Sequence, residues 1–231
     1  MKAYLSYGGG VNSTACIVLH AQGKLDYDEA IYVDHGCDWP ETRKYVKELA
    51  DRFPITILKT DETLYEYSWR YEMIPATLIR WCTKRFKVDV LKKYVKRPCF
   101  QLIGFACDEA HRANLKTDRG IENRFPLIER EVDRKGCKKI ISDFGLSVPI
   151  KSGCYFCPFQ RINQWKSLRR LHPDLFCKAE QLERRNQLYR KRIGKKPMYL
   201  YSNKKPLKTV VREKEDHLFD DMKYPPCNCE L

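Results

Sequence analysis

Residues 3 to 14, Ala3-Tyr4-Leu5-Ser6-Tyr7-Gly8-Gly9-Gly10-Val11-Asn12-Ser13-Thr14, run from an apolar strand-like stretch through consecutive glycines into a helix-length segment that reaches Gln22. Glycines at such a turn let the backbone approach a phosphate closely. The hydroxyls of Ser13 and Thr14 can donate to phosphate oxygens, and the positive end of the helix dipole favours an anion. The spacing is not that of a Walker A loop, which needs Gly-Lys-Ser/Thr, nor that of the separated glycines of a dinucleotide fold. Taken alone, the stretch is either a phosphate-binding turn or a glycine-rich strand-to-helix connection without a ligand.

Outward from this turn, three more β-rich runs follow: Ala30 to Asp34, Ile55 to Lys59 and Phe100 to Phe105. Helix-length stretches such as Asn12 to Gln22 and Glu41 to Arg52 separate the first three. This β-α-β-α-β alternation predicts an α/β fold with a parallel sheet, whose ligands bind beyond the carboxyl ends of the strands. After about Pro126 the pattern changes. Gly145, Pro149 and Gly153 punctuate a loop, helices are predicted from Gln160 to Leu171 and from Pro173 to about Arg192, and a proline-containing tail follows from Lys195. The expected organisation is an α/β domain carrying the glycine turn over 1–125 and a mainly helical, cysteine-containing appendage over 126–231 packed on it.

The composition narrows the function classes. With 43% hydrophobic and 32% charged residues and no apolar run near the roughly 20 residues of a membrane span, a soluble protein with no membrane partner is expected. The strand-like start leaves no room for a signal peptide, so the expected location is cytoplasmic. Eleven cysteines, an odd set partly in apolar stretches, argue against a secreted disulfide framework. The net charge is +14, and the segment from Arg161 to Arg212 holds 16 basic and 3 acidic residues, nearly the whole excess. Such a segment is either a solvated helical face or a surface for a polyanion, DNA or RNA.

At the end of the second strand stands Asp34-His35-Gly36-Cys37-Asp38-Trp39-Pro40-Glu41-Thr42. With the glycine turn before it, this resembles the PP-loop superfamily of adenine-nucleotide-binding enzymes, in the branch of phosphoadenosine-phosphosulfate (PAPS) reductases. Their signatures are Ser-Gly-Gly-x-Asp-Ser and Asp-Thr-Gly-x-x-Phe-Pro-Glu-Thr. Gly8 replaces the family's serine, Asn12 its aspartate, His35 its threonine and Trp39 its phenylalanine. Two later segments, Arg80-Trp81-Cys82-Thr83-Lys84-Arg85-Phe86-Lys87 and Gly104-Phe105-Ala106-Cys107-Asp108-Glu109-Ala110-His111-Arg112, resemble the family's Arg-x-Cys-x-x-x-x-Lys and Gly-x-x-x-x-Glu-x-x-Arg. The resemblance covers about residues 4 to 160. It implies a Rossmann-like parallel sheet of the PP-loop (HUP) type and a bound ATP or related adenine nucleotide. The implied binding residues are Ser6, Gly8, Gly9, Gly10, Asn12, Ser13, Thr14, Asp34, His35, Gly36 and Glu41. It also implies that Arg80, Lys87 and Arg112 face the phosphate or sulfate end. Mg2+ is the accompanying ion, although Asn12 removes the carboxylate that the family offers it.

Lys151-Ser152-Gly153-Cys154-Tyr155-Phe156-Cys157-Pro158-Phe159 carries a Cys-x-x-Cys pair whose thiolates can hold a tetrahedral ion or one face of an iron–sulfur cluster. Cys82 stands where the resembling adenylyl-sulfate reductases keep cluster cysteines. Cys82, Cys137, Cys154 and Cys157 therefore form the candidate metal set, with Cys177, Cys227 and Cys229 as further candidates. A 4Fe–4S cluster is the reading the resemblance favours; zinc and a redox dithiol are the alternatives. The expected activity is transfer of adenylate from ATP to an acceptor, with pyrophosphate release and cluster-assisted sulfur transfer from a donor protein, nucleic acid being one acceptor class. One alternative is a PAPS or adenylyl-sulfate reductase making sulfite. Its C-terminal Glu-Cys-Gly-x-His motif is replaced here by Cys227-Asn228-Cys229-Glu230-Leu231, leaving Cys229 as the analogous thiol. The other alternative is an interaction protein that binds nucleotide without catalysis.

Overall fold

Near-continuous apolar runs such as Ala30-Ile31-Tyr32-Val33 suit strands buried on both faces, and they build the centre of an all-parallel sheet. The computed structural model describes residues 1–114, 118–201 and 205–213. The tail carrying Cys227 and Cys229 lies outside the described residues. Among those described, the strands are β1 (Lys2–Tyr7), β2 (Glu29–Asp34), β3 (Ile55–Lys59), β4 (Cys99–Ile103) and β5 (Ile121–Arg124), in the order β3-β2-β1-β4-β5. The fold is therefore α/β with a Rossmann-like parallel sheet. Sequence periodicity did not indicate β5. Its residues Ile-Glu-Asn-Arg bury only the isoleucine, because it forms an edge of the sheet and pairs on one side, Cys99 opposite Ile121.

Side chains alternate across the sheet as the pleat requires. Leu5, Tyr7, Ala30 and Tyr32 face one core with α1 (Val11–Ala21), α2 (Pro40–Ala50) and α7 (Arg134–Asp143). Tyr4, Ile31, Cys99 and Ile121 face the other, with Leu91 of α5 (Asp89–Tyr94). Residues 126–146, including α6 (Pro126–Glu129), pack with the glycine-turn helix α1 through Leu127, Cys137, Ile141 and Leu146. Asp133 starts α7 by accepting the Gly136 amide at 2.7 Å.

A second core lies over the carboxyl ends of the strands. It gathers Cys37 and Trp39 from the loop after β2, Leu64 of α3 (Leu64–Arg70), Ile74, Phe86 and Tyr155–Phe156. Completing it are Trp165 and Leu168 of α8 (Ile162–Leu171), Phe176, Ala179 and Leu182 of α9 (Pro173–Arg192), and Leu207 and Val211 of α10 (Leu207–Glu213). The predicted helices at 160–171 and 173–192 are thus present and cap the carboxyl ends of the strands. Buried Glu183 clasps the chain beyond α9, its two carboxylate oxygens accepting the Leu200 and Leu207 amides at 2.8 Å each. Among the described residues no helix is long and apolar enough to cross a membrane.

Candidate functional site

The chain runs from β1 through β2 to β3 on one side of β1, and β4 and β5 lie on the other. This reversal opens a crevice between β1 and β4 at their carboxyl ends. A pocket partly open to solvent occupies it. Ser6, Tyr7, Gly8, Tyr32 and Gly104 line it from the strand ends, Lys87 from a neighbouring helix, and Ser152 and Gly153 from the cysteine loop. Lys87 sits in a π-helical turn, Lys84–Val88, between the single turn α4 (Trp81–Thr83) and α5.

Two glycines are fixed here by geometry. Gly9 has φ +69°, and a Cβ on it would lie 2.9 Å from methyl groups of both Thr42 and Val46. Gly104 ends β4 against the start of α1, where a Cβ would stand 3.1 Å from the Ser13 Cα. The turn is knitted by Ser13, whose Oγ accepts the Gly8 amide and donates to the Gly10 carbonyl, each at 3.3 Å. Thr14 shares a hydrogen bond with the Tyr7 hydroxyl. Both hydroxyls expected at a phosphate thus serve the turn itself. The α1 N-terminus carries no side-chain cap, which leaves its amides to present to an anion.

The loop after β2 is organised by carboxylates. Asp34 accepts the Gly36 amide at 2.9 Å and pairs with Arg43 at 3.0 Å, so it shapes the turn. His35 and Asp38 are buried, with Nε2 and Oδ1 3.4 Å apart, and the Tyr32 hydroxyl donates to Asp38 Oδ2. His35 Nδ1 accepts the Cys37 amide at 3.3 Å, which assigns the ring proton to Nε2, facing Asp38. Burial pushes the His35 imidazolium pKa down, against the pull of Asp38. Burial also pushes the Asp38 carboxyl up, but His35, Lys87, the Tyr32 hydroxyl and Arg43 outweigh it and hold Asp38 below its ordinary value. Burial, then the charge of Asp38, raises the Tyr32 phenol, so it stays a donor. The result is an ionised carboxylate beneath the pocket, where Tyr32 is part of the lining. Neither Tyr32 nor Asp38 stands out in the sequence as a site residue.

Beside the turn, buried Glu109 accepts from Asn12 Nδ2 at 2.8 Å and pairs with Arg112 at 2.7 Å, while Arg134 reaches Asn12 Oδ1 at 3.4 Å. The amide of Asn12 suits this place because it donates to a carboxylate and accepts from a guanidinium. Arg112 is held by Glu109 and lies 4.3 Å over the Phe105 ring. Arg80 contacts Thr83 and the Phe159 ring. Of the three basic residues expected at the phosphates, Lys87 is the one lining the pocket. Glu41 is turned outward, 2.8 Å from His172 at the start of α9, and ties α2 to the helical cap.

The cysteine loop is stitched to the loop after β2. Trp39 donates its amide to Gly153 O, Tyr155 donates to Cys37 O, Asp38 lies opposite Cys154, and the Trp39 indole donates to Gln160 at 3.1 Å. This strand-like pairing places Ser152 and Gly153 in the pocket wall and the buried Cys154 and Cys157 just behind it. The two cysteines share a second, smaller pocket with Trp39, Lys151 and Gln164. Cys82 packs against this core, whereas Cys137 lies in the core between α1, α7 and the sheet. Among the described residues no group of three His, Cys, Asp or Glu side chains is placed to hold a metal ion. The four-thiolate set is therefore not assembled here. Cys137 departs from it because the apolar face of α7 turns toward α1. Cys229 lies outside the described residues.

No protein-family model matches the chain. It is 26% identical over 200 residues to the uncharacterized protein MJ0973 of Methanocaldococcus jannaschii, a match covering 75% of this chain and 45% of that protein. A second uncharacterized protein of that organism, MJ0066, is 24% identical over 205 residues, covering 78% of this chain and 41% of the other. The chain thus spans less than half the length of these curated relatives.

Proposed function

We propose that the protein binds an adenine nucleotide, ATP or a related adenylate, at the carboxyl ends of β1, β2 and β4, and activates an acceptor there. One juxtaposition carries this reading. Gly8 of the glycine turn and Lys87 line the same pocket as Ser152 and Gly153, the residues that lead into Cys154. Amides at the start of α1 and the Lys87 ammonium suit the phosphates, and Ile31, Val33, Leu91 and Ile103 offer a flat base an apolar wall. An acceptor oxygen attacks the α-phosphorus, the bond to pyrophosphate breaks, and Lys87 offsets the departing charge. A sulfur nucleophile from a donor protein, guided by the Cys154 loop, then displaces AMP from the activated acceptor. An iron–sulfur cluster or zinc would need ligands beyond those the described residues bring together.

The thiol pair behind the pocket also suits a second reading, reduction of an adenylated sulfate: the thiolate of Cys154 or Cys229 attacks the sulfur and displaces the adenylate, and a second thiol, such as Cys157, then attacks the sulfonated cysteine, releasing sulfite as a disulfide forms. Calorimetry with ATP, AMP and PAPS, joined to an assay for pyrophosphate release with candidate acceptors, separates the two readings. ATP affinity is expected to fall roughly tenfold or more in Lys87→Ala and Gly10→Val, by loss of one charge contact or of the close backbone approach. Unchanged affinity in both variants would sink the reading. Binding without pyrophosphate release or sulfite formation leaves a nucleotide-dependent interaction protein.

A further inference from the structure

Away from the nucleotide pocket, the end of α3 meets α9 in an open groove of about 960 Å³ whose lining includes Trp69, Arg184, Arg185, Leu188, Tyr189 and Arg192. We propose that this groove binds single-stranded nucleic acid, with unpaired bases on the guanidinium planes laid over Trp69 and Tyr189, against the exposed Leu188, and phosphates on the surrounding cations. The proposal goes beyond the nucleotide reading and needs neither the pocket nor the cysteines.

Charge is the first argument. Of the three acidic residues between Arg161 and Arg212, Glu183 is buried and spent on backbone amides, Glu180 is half-buried, and Asp174 stands at the far end of α9. The exposed stripe of α9 therefore runs Gln181, Arg184, Leu188, Lys191 at helical spacing with no carboxylate in it. A solvated face would need no apolar residues, yet Leu188 is 60% and Trp69 37% exposed. Apolar side chains clustered among cations mark a contact surface more than a solvated one.

The groove is also preorganised. Glu72 pairs with Arg192 at 2.8 Å and with Arg185 at 3.5 Å, so its charge is offset twice. Arg185 donates to the Trp69 carbonyl at 2.9 Å, and its guanidinium lies 4.7 Å over the indole. Arg192 lies 5.4 Å over the Tyr189 ring. These contacts fix a platform of aromatic and guanidinium planes, the surface on which unpaired bases stack regardless of sequence. Exposed Arg184 and Lys191 remain along the stripe for the phosphates. A duplex presents no base faces to such a platform, and an acidic peptide would use the charge without the stacking.

The test uses the full chain and fluorescence anisotropy of labelled oligothymidine and oligouridine about 12 nucleotides long, a length within single-strand site sizes. A duplex of equal length and an oligoglutamate serve as competitors, across salt from ~50 to ~300 mM. Single strands should bind with a steep salt dependence, and the duplex and peptide should compete poorly. Leu188→Glu, a surface change, should weaken binding roughly tenfold or more. The double variant Arg184→Ala/Lys191→Ala should flatten the log–log salt slope by about 1.4, at ~0.7 per phosphate contact. Melting temperature and ATP affinity should match the wild type in both. Absence of single-strand binding at the lowest salt, competition by duplex or peptide as strong as by single strand, or wild-type affinity in both variants would each overturn the proposal.

Discussion

Replacing Gly104 by alanine tests whether the end of β4 and the start of α1 share one close contact on which the pocket depends. The added Cβ would stand 3.1 Å from both the Cα and the amide nitrogen of Ser13, and 3.3 Å from the carbonyl carbon of Asn12. All three are backbone atoms, so no rotamer change relieves the crowding, and either the strand end or the helix start must move by a few tenths of an ångström. The Gly104 φ lies outside the left-handed region, so contact alone sets the cost. Overpacking of this kind costs about 1–3 kcal/mol. At roughly 2–4 °C per kcal/mol for a chain of this size, the melting temperature should fall by roughly 2–12 °C. The shift also moves Gly104 and the adjoining glycine turn, both of which line the pocket, so ATP affinity should drop roughly tenfold, the loss of about one charge-assisted hydrogen bond. Gly145→Ala is the control. Its Cβ meets nothing within 4 Å, but φ is +79°, so it should lose about 1–2 kcal/mol to left-handed strain and keep its ATP affinity. Calorimetry and thermal melts on both variants decide the matter. If Gly104→Ala binds ATP like the wild type, or both variants lose affinity equally, the contact does not govern the pocket.

Asn12→Asp would restore the resembling family's residue but set a second carboxylate beside Glu109, now 2.8 Å from Asn12 Nδ2. The repelling pair should take up a proton more readily when folded, so the variant should be destabilised near neutral pH and regain stability as pH falls, as denaturant midpoints across pH would show. His35 tests the opposite sign. Burial lowers its pKa in the folded chain, so as pH falls through about 6.5 the unfolded chain takes up a proton more readily than the folded one, and stability should fall as pH drops below about 7. His35→Gln should flatten that slope; a slope identical to the wild type would remove His35 as its source.

The local pattern of the candidate site is legible in the sequence because it depends on short-range rules. The glycine turn, Asp34 at a strand end and the Cys-x-x-Cys spacing each follow from residues adjacent in sequence. The roles of particular side chains were less so. Ser13 and Thr14 hydroxyls face the turn, Arg112 faces Glu109 and Glu41 faces His172, because buried or half-buried polar groups first satisfy the nearest partner the fold supplies. Tyr32 and Asp38 gave no signal beyond ordinary strand and loop residues, since their importance arises only when His35 and Lys87 are brought against them.

By itself the sequence determined the alternation of apolar strands with helices, the parallel sheet and the place of the glycine turn, because backbone propensity and a period of two or 3.6 are local properties of the chain. Only the tertiary structure decided which segments share a wall. It seated Ser152 and Gly153 in the wall of the pocket at the strand ends by pairing the cysteine loop with residues 37–39. It buried Cys137 against α1, away from Cys154 and Cys157. It also set Trp69 beside Arg185 across 116 positions of sequence. Spacing along a chain fixes what neighbours can do, but the direction in which a helix turns its apolar face depends on the core that receives it, and that core is built from residues far apart in the sequence.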